Sequence, residues 1–141
     1  MDIHRKTIAL TIWWCEGTKP RKDKRWKNAW ICPIEVINTD YRIIKIFRDY
    51  LVRDLRIPLK QIRGQIQIHE GDNQKDIEKY WTKAVNIPIS QLNKTIIRKK
   101  GNKPGKNKGT FKLRIYNKAL YIKLQALLDK ELIFTGCGAI G

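Results

Sequence analysis

Hydrophobic residues recur at helical spacing in four segments of the chain. The first segment, Ile3 to Cys15, is apolar on nearly every side. The second, Tyr41 to Leu55, follows capping residues at 38–40, the third is capped by Asp72 or Asn73, and the fourth follows Asn117. These three later helices are amphipathic, and their predicted inward stripes are Ile44, Phe47, Leu51 and Leu55; Ile77, Trp81, Ala84 and Val85; and Leu120, Leu124, Leu127, Leu128 and Leu132.

Four other segments alternate with period two or are rich in β-branched residues, which predicts strands. They are Trp30–Asn38, Gln61–His69, Lys94–Lys99 and Thr110–Tyr116. In the second strand Ile62, Gly64, Ile66 and Ile68 share a core face, and the fourth repeats the pattern with Phe111, Leu113 and Ile115. In the first strand Cys32, Ile34 and Val36 point inward, and Pro33 limits the strand to an edge or a bulge.

These elements predict one α+β domain in residues 1–132. We expect a curved antiparallel sheet of about four strands with helices packed on one face. A length of 141 residues with 42% hydrophobic residues suffices for one such core. Residues 133–141 are Gly-rich and predict a flexible tail.

The charge of the chain is strongly positive and uneven. Thirty Lys and Arg stand against 13 Asp and Glu, a formal charge of +17, and no acid occurs between Glu78 and Asp129. Such charge repels itself in the folded state and predicts a polyanionic partner. Two basic segments, residues 17–28 and 99–110, read as loops with nothing to bury. Basic runs are commonly just solvated loops, but these two flank strands with polar outward faces, which favours contact with nucleic acid.

The outward strand residues carry chemistry suited to reading base pairs. Arg63 can pair with guanine, and Gln65 and Gln67 with adenine. The other predicted DNA contacts are basic residues of the strands and loops: Lys19, Arg21, Lys22, Arg25, Lys94, Arg98, Lys103, Lys112 and Arg114. Trp26 and Trp30 interleave with this charge and either stack on bases or anchor the core or loops.

The sequence gives only weak signals for secretion, membrane insertion, disulfide bonds or metal binding by Cys and His. The apolar run at 8–15 is short for a signal peptide, lacks a cleavage site, and falls below the roughly 20 residues that span a bilayer. Cys15, Cys32 and Cys137 have no disulfide or zinc spacing, and His4 and His69 have no metal-ligand spacing. We therefore expect an intracellular protein, cytoplasmic, nucleoid-associated or organellar, without a membrane or small-molecule partner.

The first helix has no water-facing side, which predicts burial all round. A small domain can hardly cover such a helix alone, so we expect part of the cover to come from a second subunit. Thr7, Thr11 and Cys15 form a ridge of small side chains along one side. Such a ridge lets two helices approach closely and is the predicted dimer interface.

Glu16 ends this helix, where the unpaired carbonyls favour a cation over an acid. One interpretation is that two such carboxylates meet at a two-fold axis and bind a hard divalent ion such as Mg²⁺ against a phosphodiester. The other is that Glu16 is simply an exposed residue after a frayed helix end, capped by Gly17.

The stretch "ALTIWWCEG", residues 9–17, resembles the LAGLIDADG helix of homing endonucleases: an apolar helix that ends in an acid and a glycine. The rest of the chain is similar, in the order of its blocks, to small single-motif members of that family. The blocks are "VINTDYRIIKIFRDYL", "QIQIHEGDNQKDIEKYWTKAVNIPISQLNKT" and "GTFKLRIYNKALYIKLQALL". The resemblance covers residues 7–132. Trp13 and Trp14 depart from the motif, which usually has smaller residues or an acid there, and Thr11 replaces its inner glycine.

The resemblance implies a homodimer whose motif helices pair at the two-fold axis and whose sheets form a saddle in the DNA major groove. It implies that Glu16, with the backbone carbonyl of Cys15, binds Mg²⁺ or another divalent cation and helps water to attack the scissile phosphate. It also implies a catalytic basic residue, for which Lys99 is the first candidate and Lys94 and Arg98 are others. Such enzymes serve intron or intein mobility. The rival expectations are a regulator that binds DNA without cleaving it and an RNA-binding or intron-folding protein.

Overall fold

The computed structural model describes residues 3–17, 21–22, 30–99, 108–134 and 136, with the backbone alone for 21–22 and 30–31. Its helices are α1 (Ile3–Glu16), α2 (Tyr41–Asp49, continued by a π-helical turn at Tyr50–Asp54), α3 (Gln74–Val85) and α4 (Lys118–Phe134). Its strands are β1 (Arg21–Lys22), β2 (Trp30–Ile31), β3 (Pro33–Asn38), β4 (Arg63–His69), β5 (Ile96–Arg98) and β6 (Thr110–Tyr116). Within the described ranges, the structure thus has the predicted α+β composition.

Side-chain caps fix where the later helices begin. The Asp40 carboxylate accepts from the Arg42 backbone N–H at 3.0 Å, and Asn73 Oδ1 accepts from that of Asp76 at 3.2 Å. Asn117 Oδ1 accepts from the Leu120 backbone N–H at 3.0 Å in the same way. Each bond satisfies a donor that the first helical turn leaves free. The sequence predicted a cap within residues 38–40 and a cap at Asp72 or Asn73, whereas the cap at Asn117 was not predicted. Helix α4 continues to Phe134, two residues past the predicted boundary.

The main sheet has four strands in the order β3-β6-β4-β5. Strand β6 is antiparallel to both β3 and β4, but β5 runs parallel to β4. The prediction of a wholly antiparallel sheet is therefore wrong at β5. The reason is the position of α3, since a helix between β4 and β5 returns the chain to the same end of the sheet. The predicted strand Trp30–Asn38 is divided, because Trp30–Ile31 form β2 in a separate sheet and β3 begins at Pro33. Strand β3 lies at the edge of the main sheet, which agrees with the prediction that Pro33 limits it to an edge or a bulge.

One face of this sheet is the core. It presents the buried residues Ile34, Val36, Ile66, Ile68, Phe111, Leu113 and Ile115. Helices α1, α2 and α4 pack on β3, and Trp81 of α3 stacks on Phe111 with ring centroids 5.1 Å apart. Gly64 also lies on this face, where a Cβ would collide with the Phe111 ring and with Leu92. The opposite face, named the outer face below, carries mainly polar residues together with Ile37 and Ile96.

No described helix is both long enough and apolar enough to cross a membrane. The predicted curvature of the sheet, the saddle and the pairing of two copies stay predictions.

Candidate nucleic-acid interface and metal site

Strand register arranges the outer face in rows. Glu35, Arg114 and Arg63 lie side by side on β3, β6 and β4. The remaining rows are Ile37, Lys112 and Gln65; Thr110, Gln67 and Ile96; and His69 and Arg98. The fold therefore brings most of the predicted strand contacts onto one surface, where cationic and amide groups alternate.

The basic residues of the outer face differ in exposure. Arg63 and Arg98 are exposed, as is Lys94 just before β5, and Lys112 is half-buried. Cations at such positions can approach phosphates or base edges without a large structural change.

Arg114 is the exception, because a buried acid holds it. Its Nε lies 2.6 Å from Glu35 Oε1, and its guanidinium lies 5.3 Å from the centre of the Tyr116 ring. Glu35 is only 5% exposed. The ion pair neutralises Arg114 locally, which the sequence analysis missed. Glu35 follows the outward register of β3, but its burial against β6 could be inferred only from strand pairing.

Gln65 is also partly engaged. Its Nε2 donates to the backbone carbonyl of Lys94 at 3.0 Å. This bond ties the segment before β5 to β4 and uses one of the two amide hydrogens. Gln65 is therefore less suited than Gln67 to bidentate pairing with adenine, because the bond fixes the direction of its amide even though the oxygen and the second N–H keep no described partner.

The end of α1 lies beside the edge of the sheet. The Gly17 N–H donates to the Trp13 carbonyl at 2.9 Å, and Gly17 forms an antiparallel bridge with Val36 of β3. A Cβ at position 17 would collide with the backbone carbonyl oxygen of Trp13 and lie 2.9 Å from Trp13 Cδ1, so this close approach requires glycine. Glu16 is exposed at this corner.

Glu16 and the helix-end carbonyl of Cys15 offer two oxygen donors, which suit a hard divalent cation. Within the described residues, no three His, Cys, Asp or Glu side chains cluster as a metal site. Binding of a divalent cation by Glu16 and the Cys15 carbonyl, from one chain or from two, stays a prediction.

Lys99 does not lie near Glu16 within one chain. Gly17 pairs outside β3, whereas Lys99 follows β5 at the opposite edge. Four strand spacings of about 4.8 Å separate the two, on the order of 20 Å. Lys112 on β6 is about half as far, since β6 is the neighbour of β3. The structure thus does not bring together the two residues that the sequence analysis named as catalytic.

Helix α1 is covered on one side only within one chain, and cover of its other side by a second subunit stays a prediction. Only Ala9, Leu10 and Trp13 are buried, because the sheet, α2 and α4 cover one side of the helix. Ile8 and Trp14 are 46% and 47% exposed.

The predicted interface residues Thr7, Thr11 and Cys15 are exposed on the uncovered side. The Thr11 hydroxyl donates to the Thr7 carbonyl at 2.8 Å, so the Thr11 hydroxyl has a hydrogen-bond partner within the helix itself. Trp13, one of the two bulky departures from the motif, points inward and meets the Tyr121 ring edge-on at 5.5 Å. Only Trp14 lies on the exposed side.

Several sequence-predicted residues lie outside this description. Five of them fall outside the described residues: Lys19, Arg25, Trp26, Lys103 and Cys137. Arg21 and Lys22 form β1, which pairs with β2 at Trp30–Ile31, and only their backbone is described. His4 is exposed near the start of α1, and His69 ends β4 on the outer face.

Comparison with protein-family models finds no match for this chain, and comparisons with curated proteins and with solved structures find no significant match.

Proposed function

We propose that this protein is a homodimeric, site-specific endonuclease that binds the major groove of double-stranded DNA and hydrolyses it with a divalent cation. The observation that carries the proposal is the position of α1. This apolar helix ends in an acid at Glu16, and the next residue pairs with the edge of the sheet that bears the polar outer face. A metal-binding acid and a DNA-reading surface would then lie on adjoining parts of one molecule.

The outer face supports the binding half of the proposal. Arg63, Lys112 and Arg98 supply positive charge on three different strands. Binding through such cations releases counterions from the phosphate backbone, so affinity for any duplex should fall steeply with salt. Gln67 and Arg63 supply hydrogen-bonding groups that discriminate between base pairs.

The exposed side of α1 supports the homodimer. A groove of about 250 Å³ between α1 and α4 is lined by Thr11, Trp14, Leu128 and Leu132 among others. Exposed apolar area beside a ridge of small residues favours a second helix of the same kind. Pairing there would bring two copies of Glu16 towards one axis.

The proposed cleavage reaction involves few residues. Glu16 and the Cys15 carbonyl would hold the cation, which would supply Lewis acidity at the scissile phosphate. Lys112 takes the place of Lys99 as the candidate basic residue, because it lies on the strand next to β3. Its ammonium group would stabilise the charge that develops on the phosphate.

A DNA-binding regulator without cleavage is the second candidate. The distance of Lys99 from Glu16 favours it, since the acid then lacks the predicted basic partner within its own chain. Both functions require sequence-specific duplex binding.

One experiment separates the candidates. The protein is incubated with a library of randomised duplexes, with and without Mg²⁺, beside Glu16→Gln and the control Asp129→Asn, an exposed acid on α4. Breaks that need Mg²⁺, vanish in Glu16→Gln and persist in Asp129→Asn support the nuclease. Specific binding without breaks supports the regulator, and preference for structured RNA over every duplex would overturn both.

A further inference from the structure

A cavity of about 210 Å³ opens in the middle of the outer face. Its walls are Ile37, Gln67, Ile96, Thr110, Lys112 and Arg98, together with the tethered Gln65. Two of these side chains are apolar although the surface is otherwise polar and basic. Ile37 is 38% exposed and Ile96 is 37% exposed.

Gln67 and Ile96 are direct neighbours in the parallel pairing of β4 and β5. Adjacent strands lie about 4.8 Å apart, so an amide and an aliphatic side chain stand next to each other at the cavity. The Gln67 side chain makes no hydrogen bond to any described residue, unlike that of Gln65. Its oxygen and its N–H groups are thus available together.

The chemistry of the pair matches one kind of base pair. In the major groove adenine presents the N7 acceptor and the N6 donor, and thymine presents its C5-methyl group further along the same edge. A glutamine amide pairs bidentately with adenine, and an aliphatic side chain contacts the thymine methyl. Cytosine offers no methyl, and guanine offers two acceptors where Gln67 would present one acceptor and one donor.

We propose that this cavity is a specificity site that reads an A·T base pair, with adenine on Gln67 and the thymine methyl against Ile96. Ile37 forms the opposite apolar wall, and Arg98 holds a flanking phosphate. The inference rests on the proposed function only in that the outer face must enter a major groove; it does not require cleavage.

The test begins with selection of bound duplexes from a randomised library, in the Glu16→Gln background so that bound DNA stays intact. The selected site should contain a position at which A·T is preferred at least about tenfold. Replacing thymine there by deoxyuridine removes only the methyl group and should weaken binding about fourfold. This measurement needs no further substitution, so it stands even if a variant folds poorly.

Variants then assign the effect to residues. Gln67→Ala should remove the preference for A·T at that position, and Ile96→Ala should make the duplex indifferent to deoxyuridine. Ile122→Ala, an exposed isoleucine on α4, is the matched control and should keep both effects. Specific binding in which no A·T position responds to deoxyuridine or to Gln67→Ala would overturn this inference while leaving the proposed function intact. Failure to bind any duplex specifically would overturn both.

Discussion

Glu35 and Arg114, on neighbouring strands, form an ion pair with 2.6 Å between Oε1 and Nε. The Glu35 side chain is 6% exposed, whereas the Arg114 side chain is 25% exposed. The carboxylate is therefore the more deeply buried partner and has given up most of its hydration. The guanidinium of Arg114, which also lies over the Tyr116 ring, compensates part of that loss. Breaking such a pair from one side leaves a poorly solvated charge.

Glu35→Gln should lower the free energy of unfolding by about 1–3 kcal/mol, less than for a fully buried pair because water reaches Arg114. The same change releases the Arg114 charge and should strengthen salt-sensitive binding to any duplex. Urea unfolding and binding titrations at several salt concentrations measure the two effects. Glu70→Gln makes the same charge change at an exposed position and should alter stability little. Equal stability of both variants would contradict the assigned role of the buried pair.

Asp54 should make stability depend on pH in the acid range. Arg5 donates two side-chain hydrogen bonds to Asp54, both of 2.8 Å, and these bonds hold the pKa of Asp54 below its ordinary value although burial opposes them. A carboxyl whose pKa is lower in the folded state stabilises the fold above the unfolded pKa of about 3.9, and this stabilisation is lost as the pH falls through the lowered folded value.

At pH 7 we therefore expect Asp54→Asn to reduce the free energy of unfolding by about 1.5–3 kcal/mol. The difference from the unchanged protein should shrink as the pH is lowered below about 4. Urea unfolding between pH 7 and pH 2.5 measures it, with Asp129→Asn as the control. A difference that stays constant over this range would rule out the charged hydrogen bond as its cause.

Hydrophobic spacing predicted the elements well, because each helix or strand here is shaped by neighbours within a few residues. The strand at 110–116 is of this kind, and Asn73 was one of the two caps predicted for the third helix, whereas the predicted strand at 30–38 is divided after Ile31. The parallel pairing of β5 was missed, since strand direction depends on which end of the sheet the chain reaches after α3.

The candidate site likewise has features that the sequence predicted and features that it did not. Alternation along single strands predicted that Arg63, Gln67 and Lys112 share the outer face. The burial of Glu35 and the separation of Glu16 from Lys99 depend on pairing between strands distant in sequence. Neither composition nor spacing carries that information.

Gly64→Ala should destabilise the protein although it adds only a methyl group. The new Cβ would meet the Phe111 ring and lie 2.8 Å from Leu92 Cδ2, and both neighbours belong to the packed inner side of the sheet. Overpacking of this kind costs about 1–3 kcal/mol. Thermal and urea unfolding measure the loss. Gly71→Ala, in the turn after β4 where a Cβ would meet nothing within 4 Å, tests backbone strain alone, because Gly71 has a φ of +92°.

Ile8→Glu should separate the proposed dimer. Ile8 is 46% exposed on the uncovered side of α1, so the change should cost the single chain little, whereas a paired helix would have to bury the new carboxylate. Light scattering should give twice the chain mass for the unchanged protein and the single mass for Ile8→Glu. Ile122 is 59% exposed on α4, and Ile122→Glu should remain a dimer. If cleavage requires two copies of Glu16 at one axis, Ile8→Glu should also abolish double-strand breaks while circular dichroism shows an intact fold. A variant that stays dimeric would place the contact between copies away from α1, and the pairing of the two acids would then have no physical basis.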